Sequence, residues 1–100
     1  MTFSCYITFP TMFYAIRAES ILKNQTFSFK MIPVPRSISS SCGTALRCAC
    51  EDIVLIKDYL LENDLELEGY YRLEEEGLKT PKVVPLNLDH PEAGENEQRA

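Results

Sequence analysis

The sequence contains no tryptophan and only one histidine, His90, close to its C-terminal end. A cysteine–histidine catalytic pair or a histidine-based zinc site is therefore poorly supported by the residues present. The chain also lacks a Ser-His-Asp set, paired catalytic carboxylates and the lysine of a phosphate-binding loop. No apolar run approaches the roughly 18 residues of a membrane-spanning helix. We therefore expect no resident cofactor or metal ion, no membrane partner, and a protein that is not an independent multi-turnover enzyme.

Clustered basic charge is missing as well. The net charge is −5, and residues 74–100 contribute four of these negative charges. Nucleic-acid binding needs a basic face, so we predict no nucleic-acid partner. The apolar N-terminal stretch lacks the basic start of a signal peptide, and Pro10 interrupts it. We therefore expect a cytoplasmic protein whose four cysteines serve packing, metal binding or reactivity before disulfide formation.

Apolar residues are periodic in six consecutive segments. Four have the short, alternating or β-branched pattern of strands, namely residues 5–9, 26–32, 44–50 and 65–73. Two have helical spacing, namely residues 11–24 and 51–63. This β-α-β-β-α-β order predicts an α+β fold with the ferredoxin-like arrangement, a four-stranded antiparallel sheet carrying two helices on one face.

The same patterns predict the domain boundaries and the two faces of the sheet. We expect one domain over residues 1–75 and an acidic, mostly flexible tail over residues 76–100, in which only 83–88 would dock. The face opposite the helices is predicted to carry tyrosines and cationic side chains that could bind a partner or pair two copies in a homodimer. These residues are Tyr6, Thr8, Lys30, Arg47, Tyr70 and Arg72.

The connection "PVPRSISSSCG", residues 33–43, is long for a link between two hairpin strands, which usually needs 2–5 residues. Its prolines stiffen the entry, and Gly43 permits a positive φ directly after Cys42. Backbone N–H groups, hydroxyls and a guanidinium could form an anion cradle that favours a thiolate at Cys42. The cradle would consist of Arg36, Ser39, Ser40, Ser41 and Gly43. The alternative is that Cys42 is an ordinary turn residue and that the serines only solvate the loop.

The other cysteines leave several interpretations open. Cys48 and Cys50 fall on one face of the third predicted strand, roughly 6–7 Å apart, so they would not easily bond to each other. Packing as small apolar residues is the first interpretation. A metal site with Cys42 as third ligand, or a disulfide from Cys42 to one of them, are the alternatives.

The strings "TFPTMFYAIRAESILK", "FKMIPVPRSISSSCGTALR" and "LEGYYRL" resemble the selenium/sulfur carrier-like family of small domains. The family pattern contains a P-x-P-R-x-[IL]-S-S-x-C-G-x-[AS]-[LI]-R block and an E-G-x-Y segment, and the similarity covers about residues 6–73. The resemblance implies that Cys42 is the carrier thiol, with Arg36, Ser39, Ser40 and Gly43 around it. Arg47 falls on the last position of the block. Cys48, Cys50 and the tail lie outside the resemblance.

On this basis we predict a small carrier or chaperone of sulfur or selenium. Cys42 would accept the chalcogen from a donor protein, such as a cysteine desulfurase-like enzyme, and pass it to an acceptor protein by thiol exchange. The alternative function is a non-catalytic domain that binds a ligand or a partner and in which Cys42 is incidental. A metal chaperone that uses Cys42, Cys48 and Cys50 is the third.

Overall fold

A computed structural model describes residues 2–75 and 81–88 of the chain. Its elements are β1 (Thr2–Thr8), α1 (Met12–Leu22), β2 (Phe29–Pro33), β3 (Thr44–Cys48), α2 (Ile53–Glu62), β4 (Gly69–Glu75) and β5 (Lys82–Pro85). A 3₁₀ turn, Cys50–Asp52, precedes α2. Neither helix in residues 2–75 and 81–88 has the length and hydropathy of a membrane span.

The strands form one sheet in the order β2-β3-β1-β4-β5, and every neighbouring pair is antiparallel. The predicted α+β class, with two helices on an antiparallel sheet, is confirmed. The predicted number of strands is wrong, because β5 adds a fifth strand beside β4. Its sequence "KVVP" is too short, and too close to prolines, to show a reliable alternation.

Strand β5 lies within the predicted tail, and Leu86 and Leu88 after it pack against the main core. Residues 76–80 and 89–100 of that tail lie outside the described residues. The division of the chain at residue 75 therefore stays a prediction.

Both helices pack on the same face of the sheet and form the main core. The predicted helical spacing is confirmed, with Ala15, Ala18 and Leu22 of α1 and Ile53, Ile56 and Leu60 of α2 buried. These side chains pack on four strand residues, Cys5, Ile7, Leu46 and Cys48. The two alanines let α1 approach the sheet closely, because a small side chain keeps the helix backbone near its neighbour.

The face opposite the helices has a second, smaller core, and the assignment of β4 residues to faces was wrong by one position. Tyr6 pairs with Tyr71 in the β1–β4 register, so Tyr71 and Leu73 lie opposite the helices, whereas Tyr70 and Arg72 lie on the helix side. The sequence "GYYRL" places large side chains at both parities. A one-residue slip was therefore hard to detect, and such a slip moves every side chain to the other face.

The loop after β2 covers part of this second face. Ile38 is buried and packs with Tyr6 and Ala45, and Val34 joins the same cluster. Two backbone hydrogen bonds shape the loop, from Ile38 N–H to Pro35 O at 2.9 Å and from Val34 N–H to Gly43 O at 3.0 Å. The face that the sequence predicted to be open for a partner is thus partly covered by the chain itself.

Candidate functional site

The long loop lies at one end of the sheet, together with the end of β1 and the start of β4. The register pairs Pro33 with Thr44 and Thr8 with Gly69, so these four residues mark the same end. Helix α1 begins at this end, because it starts four residues after Thr8. The loop residues can therefore meet side chains from β1, β4 and α1.

Cys42 lies in a bend directly before β3 and is half-buried against the main core. Its sulfur accepts a hydrogen bond from Thr44 N–H at 3.4 Å, and its S–H can donate to Thr44 O at 3.1 Å. Gly43 between them has a φ of 79°, the left-handed conformation that favours glycine. The expected positive φ at Gly43 is confirmed, and it is what turns the Thr44 amide back toward Sγ.

Glu68 anchors the loop, and the sequence analysis did not assign it a role. Its carboxylate accepts hydrogen bonds from Ser41 N–H at 3.2 Å and from Ser41 Oγ at 2.6 Å. The Ser41 hydroxyl is the main reason that the pKa of Glu68 is lowered, and partial burial acts in the opposite direction. The sequence did contain a signal for this residue, because Glu68 is the glutamate of the E-G-x-Y segment of the family pattern.

The backbone around Glu68 is held close to β1. Glu68 N–H donates to Thr8 O at 2.7 Å, which continues the β1–β4 ladder by one residue. A Cβ at Gly69 would lie 3.1 Å from the Tyr71 ring and 3.3 Å from Thr8 Oγ1. Glycine therefore allows the Tyr71 ring to lie close to the backbone next to the glutamate.

The other predicted loop residues contribute unequally. Ser40 Oγ is buried and helps to lower the pKa of the Glu68 carboxyl. Its geometry does not satisfy the criteria for a hydrogen bond to any described residue. Arg36 and Ser39 are exposed, and neither forms a hydrogen bond or ion pair within residues 2–75 and 81–88. Arg47 lies on β3, about 10 Å along the strand from Thr44. The structure thus brings Ser40, Ser41 and Gly43 to Cys42, but not Arg47.

The other three cysteines are close together at the opposite end of β3. Cys5 and Cys50 form a disulfide with a Cα–Cα distance of 4.8 Å, which overturns the expectation that the cysteines act as free thiols. Strand β3 ends at Cys48, and the 3₁₀ turn returns Cys50 to β1 instead of continuing the alternation. Cys48 is directly opposite Cys5, and its packing role is confirmed.

The chemical state of these cysteines separates them from Cys42. Burial, with a smaller contribution from Asp52, raises the pKa of Cys48 to about 12. Because Cys50 is bonded to Cys5, it is not available for the metal site that was an alternative in the sequence analysis. No group of three metal-ligating side chains occurs in the part of the chain that the structure describes. Of the four cysteines, Cys42 is the one accessible free thiol.

These features define a small α+β domain with an accessible thiol on an anchored loop at one end of its sheet. The chain belongs to the family described as "Putative Se/S carrier protein-like", whose model matches residues 4–72. The matched region includes the loop, Cys42 and Glu68, and it confirms the resemblance on which the sequence prediction rests. Searches of curated proteins and of solved structures found no match.

Proposed function

We propose that the protein carries sulfur or selenium on Cys42 and passes it between partner proteins. The observation that carries this proposal is the contrast among the four cysteines, because only Cys42 combines a free thiol with access to solvent. A nucleophilic thiol must be reachable and must be able to ionise, and both conditions fail for Cys48 at neutral pH. Membership of the carrier-like family supports the same choice.

The proposed loading step is a thiol exchange with a persulfide on a donor protein. The Cys42 thiolate attacks the outer sulfur of the donor R–S–S–H, a new S–S bond forms, and the donor S–S bond breaks. The bonding pair leaves with the donor sulfur, which becomes a thiolate and takes up the proton that Cys42 released. The persulfide on Cys42 is then passed on by the same exchange with an acceptor thiol. No external oxidant or reductant is consumed.

The loop supports this chemistry through its own groups. Thr44 N–H, at 3.4 Å from Sγ, offers a hydrogen bond to a sulfur anion. Glu68 holds Ser41 next to Cys42 and so limits the motion of the loop. Arg36 and Ser39 are exposed on the same loop, and we assign them to contacts with the adduct or with the partner chain.

Transfer partners would meet the protein at this end of the sheet. Met12 and Phe13, at the start of α1, are 50% and 61% exposed, and Tyr14 beside them interacts with Glu66 near the start of β4. Exposed apolar side chains next to a reactive thiol suit a transient protein contact. Because Ile38 covers part of the opposite face, donor and acceptor proteins fit the structure better than a homodimer through that face.

The finer fold assignment belongs to the same proposal. The strand order β2-β3-β1-β4, with both helices on one face, supports the ferredoxin-like arrangement for the first six elements. In this arrangement the β2–β3 loop and the β1–α1 connection lie at one end of the sheet. The loop of ten residues, 34–43, can therefore carry chemistry there without disturbing the core.

The test is incubation of the full chain with glutathione persulfide, followed by mass spectrometry of tryptic peptides. Trypsin separates the peptide 37–47, which contains Cys42, from the peptides with the other three cysteines. We expect a gain of one sulfur atom on peptide 37–47 that Cys42→Ser abolishes and Cys48→Ser preserves. Transfer of the label to an acceptor thiol should follow on mixing.

Two results would contradict the proposal. One is sulfur uptake that persists in Cys42→Ser, because the carrier would then be another cysteine. The other is wild-type protein that gains no sulfur while a free cysteine-containing peptide does. In that case the domain would belong to the second class considered, a binding module in which Cys42 is incidental.

A further inference from the structure

A separate cleft lies at the end of the sheet remote from Cys42, with a volume of about 450 Å³. It opens where β3 ends at Cys48, between the start of β1 and the start of β2. Its walls include Phe3, Ser4, Ser28, Phe29, Lys30 and Arg47. Strand β1 pairs with β3 only from Cys5 onward, so Phe3 and Ser4 have no strand beside them on this side. The cleft is therefore a consequence of the early end of β3.

Two cations face each other at this cleft. Lys30 and Arg47 are directly opposite in the β2–β3 register, and both are exposed. The ion pairs of the described residues are Lys57–Asp58 and Arg72–Glu74, so neither cleft cation has an acidic partner there. Like charges directly opposite each other destabilise a sheet. A bound anion would remove this repulsion, and no group identified in residues 2–75 and 81–88 does so.

The remaining walls suit a ligand with an apolar body. Phe3 is 49% exposed, with the Arg72 guanidinium carbon 5.6 Å from its ring centroid, and Phe29 also lines the cleft. Both have the parity of Cys5 and Cys48 on the helix side, whereas Lys30 and Arg47 lie on the other face with Tyr6. Ser4 and Ser28 add hydroxyl groups that can donate hydrogen bonds to an anion. The forked guanidinium of Arg47 matches the paired oxygens of a carboxylate or a phosphate. The opening beyond the end of β3 is thus lined by charge from one face of the sheet and by apolar surface from the other, and ligand sites combine the two.

We propose that this cleft binds a small molecule in which a carboxylate or phosphate group is attached to a flat apolar body. The anionic oxygens would lie between Lys30 and Arg47 on one face of the sheet, and the apolar body would extend through the opening beyond Cys48 toward Phe3 and Phe29. Cys48 borders the same cleft, but the site requires no chemistry at its sulfur. The proposal does not depend on Cys42, which lies at the other end of the sheet.

The test is a titration of the full ¹⁵N-labelled chain with three probes, followed by NMR of the backbone amides. Phenyl phosphate and phenylacetate carry the two anionic groups on a ring, and benzyl alcohol carries the ring alone. We expect saturable shifts for one or both anions at residues 3–4, 28–30 and 47–49, and none for benzyl alcohol. The tighter anion identifies whether the site prefers phosphate or carboxylate. Shifts that do not saturate, or that lie outside these residues, overturn the proposal.

Matched variants distinguish a site from general attraction to positive charge. Arg47→Gln should weaken the better anion by about tenfold or more, because a charge-assisted contact is lost. Arg17→Gln removes the same charge from an exposed position on α1 and should leave the dissociation constant unchanged. Lys30→Gln is the second cleft variant, with the same expectation as Arg47→Gln. Equal weakening by Arg17→Gln would contradict a defined site.

The free protein supplies an independent readout. Removing either cleft cation relieves the repulsion across the strands, so Arg47→Gln and Lys30→Gln should raise Tm by about 2 °C in the absence of ligand. These variants would then bind the anion less tightly while being more stable than the wild type, so unfolding could not explain their weaker binding. A lower Tm in both variants would show that the cations already have partners, and it would overturn the argument from charge.

Discussion

The two ends of strand β3 carry sulfur in opposite chemical situations. At its start, Cys42 is free, half-buried and hydrogen-bonded to Thr44. At its end, Cys48 is buried opposite Cys5, which is itself bonded to Cys50. One end is a loop held by exposed hydrogen bonds, and the other is a covalently closed part of the core. The same element thus has an accessible free thiol near one end and buried or bonded sulfur at the other, and what surrounds each sulfur decides which it is.

The largest expected difference between the two ends is in thiol reactivity. Iodoacetamide at pH 8 should modify Cys42 about a thousandfold faster than Cys48, because a pKa of about 12 leaves a thiolate fraction of about 10⁻⁴ at Cys48. Mass spectrometry of peptides 37–47 and 48–57 measures both rates in one sample. In unfolded protein treated the same way the two rates should become similar. Equal rates in the folded state would mean that Cys48 is not buried.

The next effect concerns the disulfide that closes the remote end. Reduction of Cys5–Cys50 should lower the free energy of unfolding by about 4 kcal/mol, because the bond constrains a chain segment of 45 residues in the unfolded state. Urea denaturation with and without a phosphine reductant measures the change. The Cys42→Ser variant should show the same decrease in the free energy of unfolding when the disulfide is reduced. The stability of the double variant Cys5→Ala/Cys50→Ala should not depend on the reductant. A remaining dependence would mean that a different pair of cysteines forms the disulfide.

A smaller effect is expected where the loop packs on the sheet. Ile38→Ala should cost about 2 kcal/mol, because Ile38 is only 4% exposed and fills the second core. The Cys42 alkylation rate should also rise, since the loop loses its apolar anchor. Ile16→Ala is the matched control, because Ile16 is 59% exposed on α1 and should cost less than about 0.5 kcal/mol. Equal costs would show that Ile38 is not buried.

The smallest effect belongs to the hydrogen bonds of Glu68. Hydrogen bonds to the carboxylate lower its pKa in the folded state, so ionised Glu68 stabilises the fold above its unfolded-state pKa of 4.5. This contribution is lost as the pH falls through the folded-state pKa. Because the group is exposed, Glu68→Gln should cost only about 0.5 kcal/mol at pH 7. The stability profile between pH 7 and pH 3 should become flatter.

Two serine variants test whether this pH dependence of stability comes from the hydrogen bonds between Ser41 and Glu68. Ser41→Ala should flatten the profile as Glu68→Gln does, because Ser41 donates two hydrogen bonds to the carboxylate. Ser39→Ala is the control and should leave the profile unchanged, since Ser39 is exposed and has no hydrogen bond to a described residue. Urea titrations at several pH values measure all three variants. A response of Ser39→Ala equal to that of Ser41→Ala would contradict the observed contacts.

Local patterns predicted the fold class well and the details of pairing less well. The helical spacing of α1 and α2 and the alternation of Leu46 and Cys48 were read correctly, because the buried residues recur at the period of a helix or of a strand. Strand β4 was assigned to the wrong faces because its aromatic and apolar residues occur at both parities. Strand β5 was missed because four residues beside prolines carry too little periodicity.

The candidate site was predictable to a similar degree. The loop length, Gly43 and the family pattern identified Cys42, but nothing local identified the contact from Glu68, which is 27 residues from Ser41 in the chain. The strand pattern alone could not show that β3 stops at Cys48. Its early end is what places Cys50 next to Cys5 and opens the cleft beside Lys30 and Arg47.

What the sequence alone determined is the set of elements, the helix-facing stripes and the position of the conspicuous thiol, because these depend on spacing between residues near in the chain. Tertiary structure decided which cysteines are bonded, which face each β4 residue occupies and which carboxylate holds the loop. These outcomes depend on strand register and on where β3 ends, since both bring together residues that are far apart in the chain.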